Sequence, residues 1–347
     1  MRPFFGGIEA RAACKNERIK RFGREMRTVA GYSWLKMSYD LPVVDLWQEC
    51  WIDTASKGRK KQDLGTHKIE VFEASYQPDD SLTAHIQFAL RYEGVNLQLL
   101  SLLFVTTGHQ ELVDWILQSP GSVYARRACF FYEWLMDEEM PIKSPVPSKA
   151  RYVDALDSDI QYGFITTDRT SRFRVNNNLP GTHQFCPLVR RTDFLEEIRH
   201  KDLRQQTKLK LTQYDKDLLQ RAAAFLYLKE TQSSFELERE QPSPDRAQRF
   251  ADLLRQADTS RPLTEERLAE LQNAVVDTRF HEFGWRSQQN WLGDDLGYRQ
   301  KVNFVPPRPE DIPNLMQGLL DTAEKARTSI QSNDGDKGTA SPLDPLI

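Results

Sequence analysis

The sequence predicts a mainly α-helical protein, with a helical N-terminal domain ahead of a second helical region that a β-hairpin interrupts. Three observations carry this expectation. Apolar residues recur at helical spacing in several separate windows, proline and serine gather in one stretch between them, and two short apolar runs flank a polar, glycine-containing loop near the C-terminus.

From Asp80 the positions Leu82, Ile86, Phe88, Ala89 and Tyr92 fall on one helical face, and Gly94 supplies a stop. Two more helices follow. One runs from Gln110 to Gln118 and ends near Pro120; the other runs from Val123 to Met136, where Phe130, Phe131, Tyr132 and Trp134 predict burial on more than one side. Pro141, Pro145 and Pro147, with Ser144 and Ser148, read as a linker because proline brings no backbone donor to a helix or central strand. Between Arg151 and Arg191 the runs Ile160 to Thr166 and Phe173 to Val175 read as short strands, with turns at Asn176 to Asn178 and Pro180-Gly181.

Helices then resume. Leu218, Leu219, Ala222, Phe225 and Leu226 line one face of a helix from Tyr214 to about Thr231, and Ser243 with Pro244 opens another that reaches about Ala257. Thr264 caps the next, with Glu265 and Glu266 in the first turn, where the helix dipole favours negative charge. Gln289 to Leu292 and Val302 to Val305 pair as strands around a loop holding Gly293 and Gly297; Pro306-Pro307 ends the second strand. Ile312, Leu315, Met316, Leu319 and Leu320 then form the apolar face of a final helix. The expected division is a basic leader over 1–36, a helical domain over 37–145, a mixed segment over 146–213, a second helical domain over 214–328, and a tail over 329–347 that ends in the start of a helix.

Composition narrows the function classes. The 347 residues exceed one domain of about 150 residues. The 39% apolar and 28% charged content is that of a globular chain. The apolar run Leu97 to Val105 is far shorter than the roughly 20 residues a membrane helix needs, so no membrane partner is expected. Glu9 and Arg11 interrupt the N-terminal apolar patch, so no signal-peptide core is read there. Cys14, Cys50, Cys129 and Cys186 lie far apart, which suits neither a zinc site nor a disulfide framework and points to the cytoplasm. Net charge is −3, yet residues 1–36 carry nine Lys or Arg against three acids. With Lys57 to Lys61 read as a basic loop, residues 1–61 admit two readings: a salt-dependent attraction for nucleic-acid phosphates, or a solvated leader.

Three blocks carry a resemblance to a known family. Ser233-Ser234-Phe235-Glu236-Leu237-Glu238-Arg239-Glu240 matches an S/T-x-x-x-E motif; Gln289-Asn290-Trp291-Leu292-Gly293 is followed by Phe304-Val305-Pro306-Pro307-Arg308-Pro309-Glu310-Asp311-Ile312-Pro313; and the chain closes on Leu343-Asp344-Pro345-Leu346-Ile347. In this order they resemble the Fic family, whose members transfer AMP from ATP to a hydroxyl side chain of a target protein. The resemblance spans residues 214–347 and implies a Fic-type helical domain. By it, Ser234 and Glu238 form the inhibitory motif, while Gln289, Asn290, Trp291 and Gly293 belong to the target-docking flap. Leu343 to Ile347 begin the helix that leads to the catalytic loop. Arg239 stands where the family has Gly or Asn.

Nucleotidyl transfer needs a general base for the attacking hydroxyl, a carboxylate for magnesium and backbone amides around the phosphates. The family supplies these from one H-P-F-x-D/E-G-N-G-R motif, which does not occur here; His281-Glu282-Phe283-Gly284 has the His and Phe offset but no G-N-G-R after it. No Walker A loop, G-x-G-x-x-G, H-E-x-x-H or nucleophile elbow stands in for it. The expectation is therefore that this chain has no catalytic or metal-binding residues and is inactive alone. ATP and Mg enter only when a catalytic segment is supplied, and the partners are a target protein or a completing partner chain.

Other readings stay open. The chain is alternatively a regulatory or DNA-associated protein using its basic N-terminal region, and Ser233 with Glu236 is alternatively a capping box with Glu238 a solvated charge. The hairpin either captures an extended target segment by strand addition or is an ordinary surface ribbon with Trp291 buried as an anchor. An uncovered Leu315, Met316 and Leu319 face would favour self-association.

Overall fold

A computed structural model describes residues 27–42, 45–164, 168–201, 203–215, 261–275, 283–295 and 299–334, with isolated positions between 218 and 229 and at 281 and 297. Helices predominate among the described residues. The chain forms two compact units, Met1–Leu179 and Pro180–Ile347.

The first unit opens with a sheet that the sequence reading did not anticipate. Strands β1 (Arg27–Ala30), β2 (Gln48–Asp53), β3 (Lys60–Asp63) and β4 (Lys68–Glu73) lie in the order β1-β2-β4-β3, with β2 and β4 parallel and the other pairs antiparallel; helix α1 (Tyr32–Ser38) follows β1. Ala30, Cys50, Ile52 and Phe72 turn inward and pack on Phe88. Polar residues on this inward face broke the apolar alternation that marks a strand. Glu70 is wholly buried and Gln48 nearly so. Glu70 accepts from Gln48 Nε2 at 2.8 Å and from Arg59 Nε at 2.5 Å, while Lys61 and Lys68 reach it at 3.8 and 3.9 Å. The stretch read as a basic loop is thus partly strand β3, and Arg59 pairs with Glu70 and lies over the rings of Phe72 and Tyr92.

Four helices pack behind the sheet: α2 (Leu82–Tyr92), α3 (Leu97–Thr107), α4 (Gln110–Gln118) and α5 (Val123–Met136). The side chains of Ser81, Asn96 and Ser122 accept from the amides of Ala84, Leu99 and Ala125 and so cap α2, α3 and α5. The apolar run at 97–105 is itself helical, with Leu99, Leu100, Leu103 and Phe104 buried. No helix among the described residues is long and apolar enough to cross a membrane.

Helix α5 is buried almost all round, as its aromatics predict, but it also buries Arg126 and Arg127. Arg126 donates to the carbonyls of Phe173, Arg151 and Arg174 at 2.8, 2.7 and 2.5 Å, and Arg127 Nε donates to Ala155 O at 2.9 Å. These bonds hold a small sheet of β5 (Val153–Asp154), β6 (Arg169–Thr170) and β7 (Val175–Asn176), ordered β5-β7-β6. Gln161–Tyr162 is a further two-residue strand. Residues 141–147 lie inside this unit, where Arg172 donates to the carbonyls of Met140 and Ile142.

The crossing from α2 to α3 is densely bonded. Glu93 accepts from the Tyr32 amide at 2.9 Å, and the Tyr32 hydroxyl donates to Gly94 O at 2.9 Å and accepts from Asn96 N at 3.2 Å. Gln161 pairs with both sides of Val95, accepting from its amide at 2.7 Å and donating to its carbonyl at 3.0 Å. Gly31 sits at φ +63, and a Cβ there would stand 1.7 Å from Glu93 Oε1, so only glycine fits. Its amide donates to His85 Nδ1 at 3.2 Å, and the His85 ring stacks on Trp34 at 3.8 Å.

In the second unit the described helices are α6 (Asp193–His200), α7 (Leu203–Leu211), α8 (Glu265–Val275) and α9 (Ile312–Asp334). Thr264 caps α8 as expected, accepting from Arg267 N at 3.1 Å. Thr322 Oγ1 donates to Gly318 O or Phe185 O, and Lys325 Nζ donates to Gly181 O at 3.1 Å, fastening α9 to residues 181–185. Among this unit's described residues only Pro180, Gly181, Ile312, Gly318, Thr322 and Ala326 are buried.

Two stability predictions follow from the first unit. Arg126→Met keeps length and removes the donors to three carbonyls, so it should cost about 3 kcal/mol in urea unfolding. Burial pushes His85 down from 6.5 to about 4. The unfolded chain therefore takes this proton first, and the stability from neutral His85 is full above pH 6.5 and declines as pH falls toward 4. Between about pH 7.5 and 4.5 the wild type should lose roughly 2–3 kcal/mol more than His85→Gln in urea titrations.

Candidate functional site

The hairpin is formed by β8 (Leu292–Asp295) and β9 (Gln300–Phe304), paired antiparallel with Leu292 opposite Phe304, Gly293 opposite Val302 and Asp295 opposite Gln300. A bulge falls between Leu292 and Gly293. At this point the strands approach so closely that a Cβ on residue 293 would lie 2.2 Å from Lys301 O, which explains a glycine there. Asn303 Nδ2 bonds Asp294 Oδ2 across the ribbon at 3.0 Å.

The base of the hairpin is closed by side chains. Arg286 donates to Gln288 O at 2.7 Å and also to Pro307 O, and Gln289 Nε2 donates to Asn290 O at 2.9 Å and Pro306 O at 3.1 Å. The two proline carbonyls serve here as the acceptors. Arg308 then grips Asp311 with two bonds, at 2.9 and 3.0 Å, across the 3₁₀ turn Pro309–Asp311 that leads into α9. This pairing holds the Asp311 carboxyl below its ordinary range.

The strands sit closer to the loop than the sequence reading placed them, at 292–295 and 300–304. The apolar pattern located the ribbon, but the bulge at Gly293 shifts where regular pairing starts. Gln289, Asn290 and Trp291 therefore precede β8, and of the four expected flap residues only Gly293 lies within the strand. The buried-anchor reading of Trp291 is overturned: it is 51% exposed, and Leu292, Val302, Phe304 and Val305 are exposed as well. The ribbon has two strands and presents a row of apolar side chains to solvent. Chemically, it offers main-chain donors and acceptors along its edges and greasy side chains beside them. Arg286 was missed as the residue closing the base, because its acceptor is a backbone carbonyl 21 positions along the chain.

Ser234, Glu238 and Arg239 lie outside the described residues, as do Ser233 with Glu236, the helix opened by Ser243, Leu343 to Ile347 and residues 1–26 of the leader expected over 1–36, whose residues 27–36 instead form β1 and most of α1. His281 is half-buried, and Phe283 is 91% exposed. Of the basic region, Arg27 pairs with Asp53 at 3.0 Å and Arg59 with Glu70, so these cations are turned to the protein's own carboxylates. Burial pushes the thiols of Cys186 and Cys129 up to about 11 and about 12, and raises Cys50 as well, which keeps all three protonated at neutral pH. Among the described residues no group of three or more His, Cys, Asp or Glu is placed to hold a metal ion. No family model, curated protein or solved structure matches the chain.

Gly293→Val should break the pairing at the bulge: amide exchange over 292–304 should quicken by roughly tenfold or more, with α2 to α5 unchanged, in a hydrogen-exchange experiment on the full chain.

Proposed function

We propose that this chain is the regulatory and target-docking portion of a Fic-type protein adenylyltransferase, inactive by itself in AMP transfer. The observation that carries the reading is the hairpin: an exposed ribbon locked at its base, running through Pro306-Pro307 into the long helix α9. A target segment in extended conformation pairs with an edge of the ribbon, its main chain bonded to the strand and its apolar side chains set against Trp291, Leu292, Phe304 or Val305. ATP and Mg bind only with a polypeptide that supplies the H-P-F-x-D/E-G-N-G-R motif. Ser234 and Glu238 then restrain transfer, with Glu238 engaging the arginine of that motif. The pairing of Arg27 and Arg59 with Asp53 and Glu70 favours this reading over a DNA-associated one.

The test uses radiolabelled ATP, Mg and a cell extract as a source of hydroxyl-bearing targets. The chain alone should label nothing. Addition of a polypeptide carrying the motif should restore labelling, Glu238→Gly should raise it roughly tenfold or more, and Trp291→Ala with Leu292→Ala should lower it by a similar factor. Labelling that never appears with the motif supplied would remove the proposal.

A further inference from the structure

The second unit holds a groove away from the hairpin. It lies between the start of α8 and the flank of α9, with a cavity volume of about 700 Å³. Leu263, Trp285 and Leu320 give it an apolar floor, and Glu265, Glu266 and Asp321 stand along its rim. The lining also includes Glu324, but that carboxylate is held by Arg327 at 2.6 and 2.9 Å. Asp321 accepts from the neutral amide of Gln317 at 2.8 Å. Glu266 is held below its ordinary range by its own backbone amide and the Thr264 hydroxyl, and so stays ionised throughout the neutral range. Among the described residues no Lys, Arg or His contributes to the lining.

A second observation bears on the same groove. Few described residues of this unit are buried, and Leu263 of the lining remains 47% exposed. An apolar floor of this kind, left to water, forgoes the burial that stabilises helical packing. A third helix can pack on two others at the usual interaxial spacing of about 8–10 Å.

We propose that the groove docks an amphipathic helix of a partner protein, one that lays aliphatic side chains on Leu263, Trp285 and Leu320 and sets Lys or Arg against Glu265, Glu266 and Asp321. The commitment to a basic helix comes from charge: the rim carries carboxylates, and no lining cation offsets those left after Arg327 has paired with Glu324. A helix with acidic edges meets repulsion along the whole rim, and a second copy of this face brings carboxylates against carboxylates. The inference stands apart from the AMP-transfer reading, since it uses neither the hairpin nor ATP.

The experiment measures fluorescence anisotropy with the full chain and two labelled helical peptides of about 18 residues, one of Leu and Lys at amphipathic spacing and one of Leu and Glu in the same pattern. The Leu/Lys peptide should bind at least roughly tenfold more tightly, and its affinity should fall by about the same factor between about 50 and about 500 mM salt. Glu266→Lys with Asp321→Lys changes exposed residues and should reverse the preference, while Leu320→Ala should weaken both peptides. On binding, amide exchange should slow at 262–266 and 313–324. Equal affinity for the two peptides, unchanged affinity in the double variant, or protection elsewhere would overturn the proposal. So would light scattering that shows a dimer dispersed by Asp321→Lys, which would make the face a contact between copies.

Discussion

The backbone between Tyr92 and Asn96 is where the first unit is tied together. Five consecutive residues are each bonded to something distant in sequence: Tyr92 O accepts from Gln48 on the sheet, Glu93 and Gly94 meet Tyr32, Val95 is paired on both sides by Gln161, and Asn96 meets Tyr32 before capping α3. The turn between two helices cannot satisfy its own backbone groups, and here strand, helix and the 150–179 segment satisfy them instead. Gly31 is the counterpart, since its missing side chain lets the Glu93 carboxylate reach the Tyr32 amide. A change at either place disturbs sheet, α1, α2 and α3 together.

Buried charge in this unit does the work of orientation. Arg126 and Arg127 project from one helix in adjacent positions, and together they hold both the 150–155 and 173–174 stretches through their backbone carbonyls. Glu70 has the same character with reversed sign, drawing Gln48, Arg59, Lys61 and Lys68 toward one inward point of the sheet. Such pairs contribute little net stability compared with apolar packing, but removing one member leaves the other buried and uncompensated. They select one arrangement among several that an apolar core alone would tolerate.

The helices at 110–118 and 123–136 were readable because apolar spacing and flanking turn residues agreed, and Thr264 marked α8 through simple capping chemistry. The sheet at 27–73 was not readable, because Gln48, Glu70 and Asp53 are buried and are satisfied by partners far along the chain. A local pattern cannot reveal such long-range pairing. Helix α3 was passed over because its run is apolar on most sides and lacks a clear period. The hairpin was legible as a pair of strands, but its register was not, since a bulge moves pairing without changing composition. The exposure of Trp291 likewise depends on what does not cover it. The glutamate motif around Glu238 lies outside the described residues, so its resemblance rests on sequence alone.

The bulge at Leu292 and Gly293 limits how much any added strand can read. Side chains alternate along a ladder with a period of two, and a bulge resets that phase. Asn303 of β9 falls between the partners of Leu292 and Gly293 and faces no residue of β8, so regular pairing on β9 runs only from Gln300 to Val302, and an added segment on that edge keeps one phase for few residues and presents roughly two side chains to each face. A recognition surface that short discriminates weakly by sequence. It selects instead for any segment that can lie extended at the right place, which makes the fixed base at Arg286 and Gln289 a measure of position rather than of identity.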